Sequence, residues 1–217
     1  MDTLTASRIF ETLAAHYSDA WARKRYRSTP FQVLITTILS AQTTDKSVDA
    51  VRDDLFSLFP DPESLAMADI ADVERIIHST GFYHMKARHI TAASKALVDE
   101  YSGEVPDTLE ELITLPGVGR KTANIVLYHA FGRNEGVAVD THVFRLAGRI
   151  GFSDAGAAEG IERDLMQVFP QERWGVLTDL LIAHGRAVCQ ARNPRCPACP
   201  VRDSCRYYHE TFLKESR

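Results

Sequence analysis

The chain has 217 residues, 45% hydrophobic and 25% charged, with a formal net charge of −4. That length allows one or two domains with a substantial core. No apolar run reaches the roughly 18 residues of a membrane span. The N-terminal stretch lacks a basic start followed by a continuous apolar segment, so no signal peptide is expected and the expected setting is intracellular. Net acidity argues mildly against a nucleic-acid partner, but only the contacting face must be positive. Acids gather at Asp45–Asp54 and again at Asp99–Glu111, while bases gather at Arg23, Lys24, Arg25 and Arg27 and between Arg186 and Arg206.

The periodicity is almost entirely helical, so the fold class is all-α. Thr29-Pro30 reads as a cap followed by proline at the first helical position. FQVLITTILSAQ is apolar nearly all round, as suits a helix buried in a bundle. Thr43 or Thr44 caps the next helix, which runs to Phe59 and is ended by Pro60. Short helices follow at Pro62–Met67 and Ile70–His78, the second stopped by Gly81. Helical spacing resumes from Tyr83 to Tyr101, and Thr108 caps LEELITL. After LPGVG a helix begins near Gly119 and ends at Phe131. VAVD is the only extended-looking piece. THVFRLAGRI, AEGIERDLMQVF and RWGVLTDLLIAHGRAV are helical again.

The hairpin Leu115-Pro116-Gly117-Val118-Gly119 joins two helices by a very short turn. Glycine there permits positive φ or close approach by another molecule. The turn's amides, with the unpaired N–H groups opening the next helix, form a cradle for an anion such as a nucleic-acid phosphate. A tight αα-corner would favour the same glycines. Arg120 and Lys121 then sit in the first helical turn, where the helix dipole disfavours cations by a few tenths to about 1 kcal/mol. They make sense if an anion docks there, or if Lys121 acts as an amine nucleophile that forms Schiff bases. The helix terminus, Arg120 and partial burial would all favour the neutral amine. The alternative is an ordinary surface lysine.

An amine nucleophile would benefit from a carboxylate, and Asp140 is the candidate. The helix to Phe131 is ~18 Å long at 1.5 Å per residue, and the return to Asp140 can span up to ~30 Å. The chain can therefore bring Asp140 back to the level of Lys121. Asp140 is also placed to cap THVFRLAGRI, and one carboxylate could do both.

The cysteines fall at Cys189, Cys196, Cys199 and Cys205 and nowhere else. In an intracellular chain this pattern reads as a metal site rather than as disulfides. Four thiolates in one loop suit a tetrahedral zinc or a [4Fe-4S] cluster. Arg186, Arg192, Arg195, Arg202 and Arg206 would give the loop a positive surface.

Together, LPGVGRKTAN, AVDTHVFR and Cys-x6-Cys-x2-Cys-x5-Cys closely resemble the endonuclease III family of helix-hairpin-helix DNA glycosylases, over about residues 7–209. SAQTTD and TGFYHMKA extend the resemblance. It implies a two-lobed helical fold: residues 22–134 as a helical barrel domain bearing the helix-hairpin-helix, and residues 1–21 plus 135–217 as a discontinuous domain with a C-terminal [4Fe-4S] loop. It implies that Lys121 and Asp140 are catalytic and that the four cysteines ligate the cluster. Gly117, Val118 and Gly119 would hold DNA phosphate through backbone groups, with Arg120, Arg192 and Arg195 as further DNA contacts. Gln42 would fill the gap left by a flipped nucleotide. Phe82 stands at the wedge position, where the family often has leucine; aromatic wedges also part base steps.

The implied function is a bifunctional DNA glycosylase and abasic-site lyase that removes oxidised pyrimidines from duplex DNA in base excision repair. The partner would be damaged double-stranded DNA, engaged by one subunit, with no membrane. Adenine-mismatch relatives usually lack lysine at this position and carry a further C-terminal domain, whereas this chain ends twelve residues after Cys205. A pyrimidine-dimer glycosylase of the same family could share the chemistry. A rival from another class is a non-catalytic DNA-binding module with a zinc-stapled loop.

Overall fold

The computed structural model describes residues 1–18 and 28–215. The basic run Arg23, Lys24, Arg25 and Arg27 lies outside the described residues. The chain divides into two compact units, one of residues 27–133 and the other of residues 1–26 with 134–217. Among the described residues both units are helical and no strand occurs.

The first unit is built around the helix Pro30–Leu39. A capping box starts it: Thr29 Oγ1 accepts from Gln32 N (3.2 Å), and Gln32 Oε1 accepts from Thr29 N (3.3 Å). Such reciprocal bonds satisfy orphan donors at a helix start. Phe31, Leu34, Ile35, Ile38 and Leu39 are all buried, and none of the remaining residues of this helix after Pro30 is exposed. The all-round apolar pattern therefore marks a central helix. Asp45–Leu58, Pro62–Ala66, Ile70–Ile77, Tyr83–Tyr101, Leu109–Leu112 and Arg120–Phe131 complete the unit. Thr44, not Thr43, caps Asp45–Leu58.

Two boundaries differ from the sequence reading. The central helix stops at Leu39, not Gln42. Ala41 and Gln42 are exposed, and Gln42 turns left-handed at φ 51°. LEELITL is helical only over Leu109–Leu112.

The second unit holds Thr3–His16, Thr141–Ile150, Ala158–Val168 and Trp174–Ala187 around one core. Ala6, Ile9, Phe10 and Leu13 bring the N-terminal helix into that core. Sequence reading passed over this element, although these residues follow the 3–4 spacing of a buried helical stripe. The strap leading to Asp140 runs through the interior, with Val137 and Ala138 buried. It is pinned where Asn134 Oδ1 accepts from Gly175 N (2.8 Å) and Asn134 O accepts from Gln171 Nε2 (2.7 Å).

Leu34 is fully buried in the middle of the central helix. Leu34→Ala is expected to destabilise the chain by about 2–5 kcal/mol, because cavity formation adds to the lost transfer energy. Denaturant unfolding monitored by circular dichroism measures it.

Candidate active site and cysteine centre

The hairpin and its lysine belong to the first unit. Gly117 has φ 79°, and a Cβ there would lie 2.8 Å from His89 Cβ and 2.9 Å from His89 Cγ on the helix Tyr83–Tyr101. Glycine is thus required twice, by backbone sign and by close packing. Val118 turns its side chain into the core, and its N–H bonds to Leu115 O (3.1 Å). Gly119 differs from both. Its φ is −97°, and a Cβ added there would meet nothing within 4 Å.

No side chain caps this helix, and its first ladder bond runs from Ala123 N to Gly119 O (2.9 Å). The N–H groups of Lys121 and Thr122 therefore have no intrahelical acceptor. Arg120 and Lys121 are both exposed. The partial burial expected of Lys121 is not found; an exposed amine on an open helix end is what the structure presents.

Gln42 and Phe82 are brought together in the same unit. Both are exposed and both have left-handed backbones, at φ 51° and φ 57°. Phe82 shows 62% of its surface. Non-glycine residues held at positive φ cost about 1–3 kcal/mol and cluster at functional sites. A Cβ on Gly81 would lie 3.4 Å from Gln42 O, so the two turns touch at this glycine. Phe82 precedes His89 by seven helical residues, or about 10 Å, so one helix follows the Phe82 turn and supports Gly117. The lysine that side-chain geometry places beneath these turns, Lys86, is 2% exposed and was not singled out from sequence. It falls in phase with Ile90, Ala93 and Leu97 on the buried stripe of its helix. A charge on an apolar stripe is the signal that could have found it.

Asp140 belongs to the second unit and is partly buried. Its Oδ1 accepts from both His142 N and Val143 N at 2.8 Å, so it caps Thr141–Ile150. Oδ2 carries no bond among the described residues. One oxygen fixes the carboxylate and the other remains for chemistry.

The same helix holds the cysteine loop. Arg145 donates to Cys189 O (3.2 Å from Nε, 3.0 Å from Nη2) and to Gly185 O (3.3 Å). Arg149 donates to Gln190 O (2.7 Å) and Ala191 O (2.9 Å), lies 3.5 Å from Cys189 Sγ, and stacks 4.7 Å over the Tyr207 ring. Two 3₁₀ turns, Cys196–Ala198 and Arg202–Ser204, shape the loop. The loop arginines are less purely a positive surface than expected. Arg195 donates to Ala187 O, Arg202 to Pro197 O (2.8 Å), and Arg206 to Gly148 O (2.8 Å) and Asp154 (2.7 Å). Arg192 and Arg195 are nonetheless exposed, flanking the left-handed Asn193 (φ 51°).

All four cysteines are unbridged, and all four line one pocket together with Ile150, His184, Val188, Val201, Arg202 and Tyr208. Among the described residues no three His, Cys, Asp or Glu side chains converge on a single metal-ion position. Four thiols spread around one pocket without converging on one point suit the four separate iron sites of a cubane cluster. Burial pushes the Cys199 thiol up to about 11, and the neighbouring cysteines push the same way; Cys196 and Cys205 are also raised, chiefly by burial. Binding a cationic centre would take these protons off. His184, held neutral by burial that lowers its pKa to about 4, spans Tyr17 and the loop. Its Nδ1 is 2.9 Å from Tyr17 Oη and its Nε2 is 3.4 Å from Cys199 Sγ. Both contacts are satisfied if the Tyr17 hydroxyl donates and Nε2–H faces the sulfur.

The two hairpin glycines should separate experimentally. Gly117→Ala is expected to cost about 2 kcal/mol or more through positive φ and the His89 clash. Gly119→Ala is expected to cost under about 1 kcal/mol yet weaken duplex binding, because its methyl would stand over the open amides. Melting temperature and fluorescence anisotropy with duplex DNA check the pair.

Comparison with known proteins agrees with this geometry. Residues 35–171 match the HhH-GPD superfamily base excision DNA repair protein family. The endonuclease III of Synechocystis is 48% identical over 200 residues, 92% of this chain and 91% of that protein. The Escherichia coli endonuclease III is 41% identical over 83% of this chain and 85% of its own. Among solved structures, a trapped endonuclease III–DNA covalent intermediate superposes with TM-score 0.90 at 37% identity, covering 100% of both chains. A thermostable thymine-DNA glycosylase shares the fold, at TM-score 0.85 and 22% identity. This chain belongs to the HhH-GPD superfamily of base excision repair proteins and, within it, to the endonuclease III family.

Proposed function

We infer that the protein is a bifunctional DNA glycosylase and abasic-site lyase that removes oxidised pyrimidines from duplex DNA. The observation that carries the reading is the uncapped helix end at Gly119, with Lys121 exposed in its first turn. Phosphate docks on the open amides, aided by the Arg120 cation. Gln42 and Phe82 enter the duplex where the damaged nucleotide leaves the stack. Arg192 and Arg195 add backbone contacts from the cysteine loop.

The chemistry follows from an amine and a carboxylate. Asp140 takes a proton from Lys121 and stabilises the positive sugar as the base departs. The Lys121 amine attacks C1′, the glycosidic bond breaks, and the base leaves with its bonding electrons and a proton. The resulting adduct opens to a Schiff base. Loss of a 2′ proton then expels the 3′ phosphate, cutting the strand by β-elimination.

Cys189, Cys196, Cys199 and Cys205 would hold a [4Fe-4S] cluster. Bound there, it would supply four thiolate cross-links that set the shape of the loop. The protein is read as engaging DNA inside the cell as a single subunit. Within the described residues no helix is long and apolar enough to cross a membrane.

Borohydride trapping on a duplex carrying one thymine glycol tests the reading, beside undamaged and dimer-containing duplexes. A covalent adduct on thymine glycol is expected. An adduct only on the dimer duplex would assign the pyrimidine-dimer activity instead. Lys121→Gln should keep duplex affinity and abolish base release, nicking and trapping. Asp140→Asn should fold normally, since asparagine caps helices well, but slow base release by about 10²–10⁴-fold. Cys199→Ser should lose broad visible absorbance; a colourless wild-type protein holding stoichiometric zinc after anaerobic purification would overturn the cluster assignment.

A further inference from the structure

Lys86 occupies an unusual position for a charged side chain. It is 2% exposed, yet it lies just below a solvent-exposed turn. Its backbone N–H donates to Phe82 O (3.1 Å), closing the first turn of the helix Tyr83–Tyr101. Its Nζ donates to Thr43 Oγ1, on the residue directly after Gln42. One residue is thus bonded to both turns that carry the exposed left-handed residues. Between them Gly81 approaches Gln42 O so closely that a Cβ would lie 3.4 Å from it and 3.7 Å from Thr43 Oγ1.

Beyond the close approach at Gly81, the Lys86 side chain supplies a hydrogen bond that joins the two turns. Phe82 has no side-chain cap, and the central helix has already ended at Leu39. Left-handed non-glycine residues persist only where their surroundings over-determine them. A hydrogen bond from a buried ammonium is stronger and more directional than one at the surface. Removing the ammonium or its Thr43 partner would break the tie from this helix to the Gln42 turn, while the backbone bond to Phe82 stays in place. Burial lowers the lysine's pKa, as expected for a cation withdrawn from water. A methionine of similar length would have filled the stripe without that penalty, so the charge needs a reason beyond packing.

We propose that Lys86 is a positioning residue: from the helix turn that Phe82 opens, its side-chain bond to Thr43 ties the Gln42 turn to the Phe82 turn at the separation needed to enter a duplex on either side of an extruded nucleotide. This rests on the reading that Gln42 and Phe82 insert into DNA. The lysine does not touch DNA itself. It acts by holding two exposed side chains ready, so that the ordering cost is met before the duplex arrives.

The test uses the full, cluster-loaded chain and a duplex with a tetrahydrofuran abasic analogue opposite 2-aminopurine. Insertion unstacks the 2-aminopurine and raises its fluorescence. Lys86→Met is expected to lower the fluorescence rise at saturating protein at least threefold. It should also reduce affinity for the abasic duplex about tenfold while leaving affinity for undamaged duplex unchanged. Thr43→Val, on the partly exposed turn, should act in the same direction without risk to the core. Lys86→Met combined with Gln42→Ala should fall short of the product of the single effects, because coupled residues are not additive. If Lys86→Met and Thr43→Val change only the melting temperature, with the fluorescence and affinity ratio intact, Lys86 is merely structural and the proposal fails. The insertion reading has its own control. If Gln42→Ala and Phe82→Ala both leave the fluorescence rise intact, that reading fails and takes this proposal with it. If they diminish it and Lys86→Met does not, the proposal alone fails.

Discussion

An α-helix leaves its first amides without acceptors, and this chain settles that debt at most of its helix starts with a short polar side chain. Asp2, Thr29, Thr44, Asp61, Asp69, Thr108 and Asp140 each accept from an amide in the turn they open. Gly119 does not, and Phe82 does not. Ala157 and Arg173 also open their α-helices without a side-chain cap, and the Gly119 and Phe82 starts are the two of these four that lead into Lys121 and the left-handed Phe82 turn. At Gly119 the missing cap leaves amides open to an outside acceptor, which is the feature the proposed phosphate contact uses. Two cations in the first turn of the Gly119 helix sharpen the point. Cations are disfavoured at a helix N-terminus by the helix dipole, and the proposed phosphate would reverse that balance.

The second unit resolves the opposite problem. Its cysteine loop has little regular structure, so its carbonyls need donors from elsewhere. Arg145 and Arg149, one turn apart on the helix that Asp140 caps, reach Cys189, Gln190 and Ala191. Asp140 at one end and the loop carbonyls along the side are therefore held by a single rigid element. Gly185 keeps this possible: a Cβ there would lie 2.7 Å from His142 Nδ1 and 3.0 Å from Arg145 Nη2. The geometry around the carboxylate and that around the sulfurs are one piece of packing.

Much of this was legible from residue order. Thr29-Pro30 announced a helix start, and the run from Phe31 to Leu39 announced burial on all sides; each rests on local chemistry that neighbours in sequence decide. Asp140 as a cap was legible for the same reason. What escaped notice depends on contacts distant in sequence. Tyr17 reaching His184, Arg145 reaching Cys189 and Lys86 reaching Thr43 each join residues far apart in the chain. The end of the central helix at Leu39 also escaped, because Ala41 and Gln42 continue its composition while the backbone has already turned. The roles of the loop arginines were only half visible: composition gives their charge, but not which carbonyl each one holds.

The interrupted make-up of the second unit bears on how the chain is made. Thr3–His16 is synthesised before the whole of the first unit, yet Ile9, Phe10 and Leu13 share a core with Val137, Leu146, Phe169 and Leu181. At roughly 5–20 residues per second, synthesis of the intervening stretch takes on the order of ten seconds. Throughout that interval the first unit can complete its own core from residues already emerged, while the N-terminal helix exposes an apolar stripe with nothing to cover it. The nascent chain thus carries an early client surface for chaperones on this helix, and the unit that carries the four cysteines closes after the other.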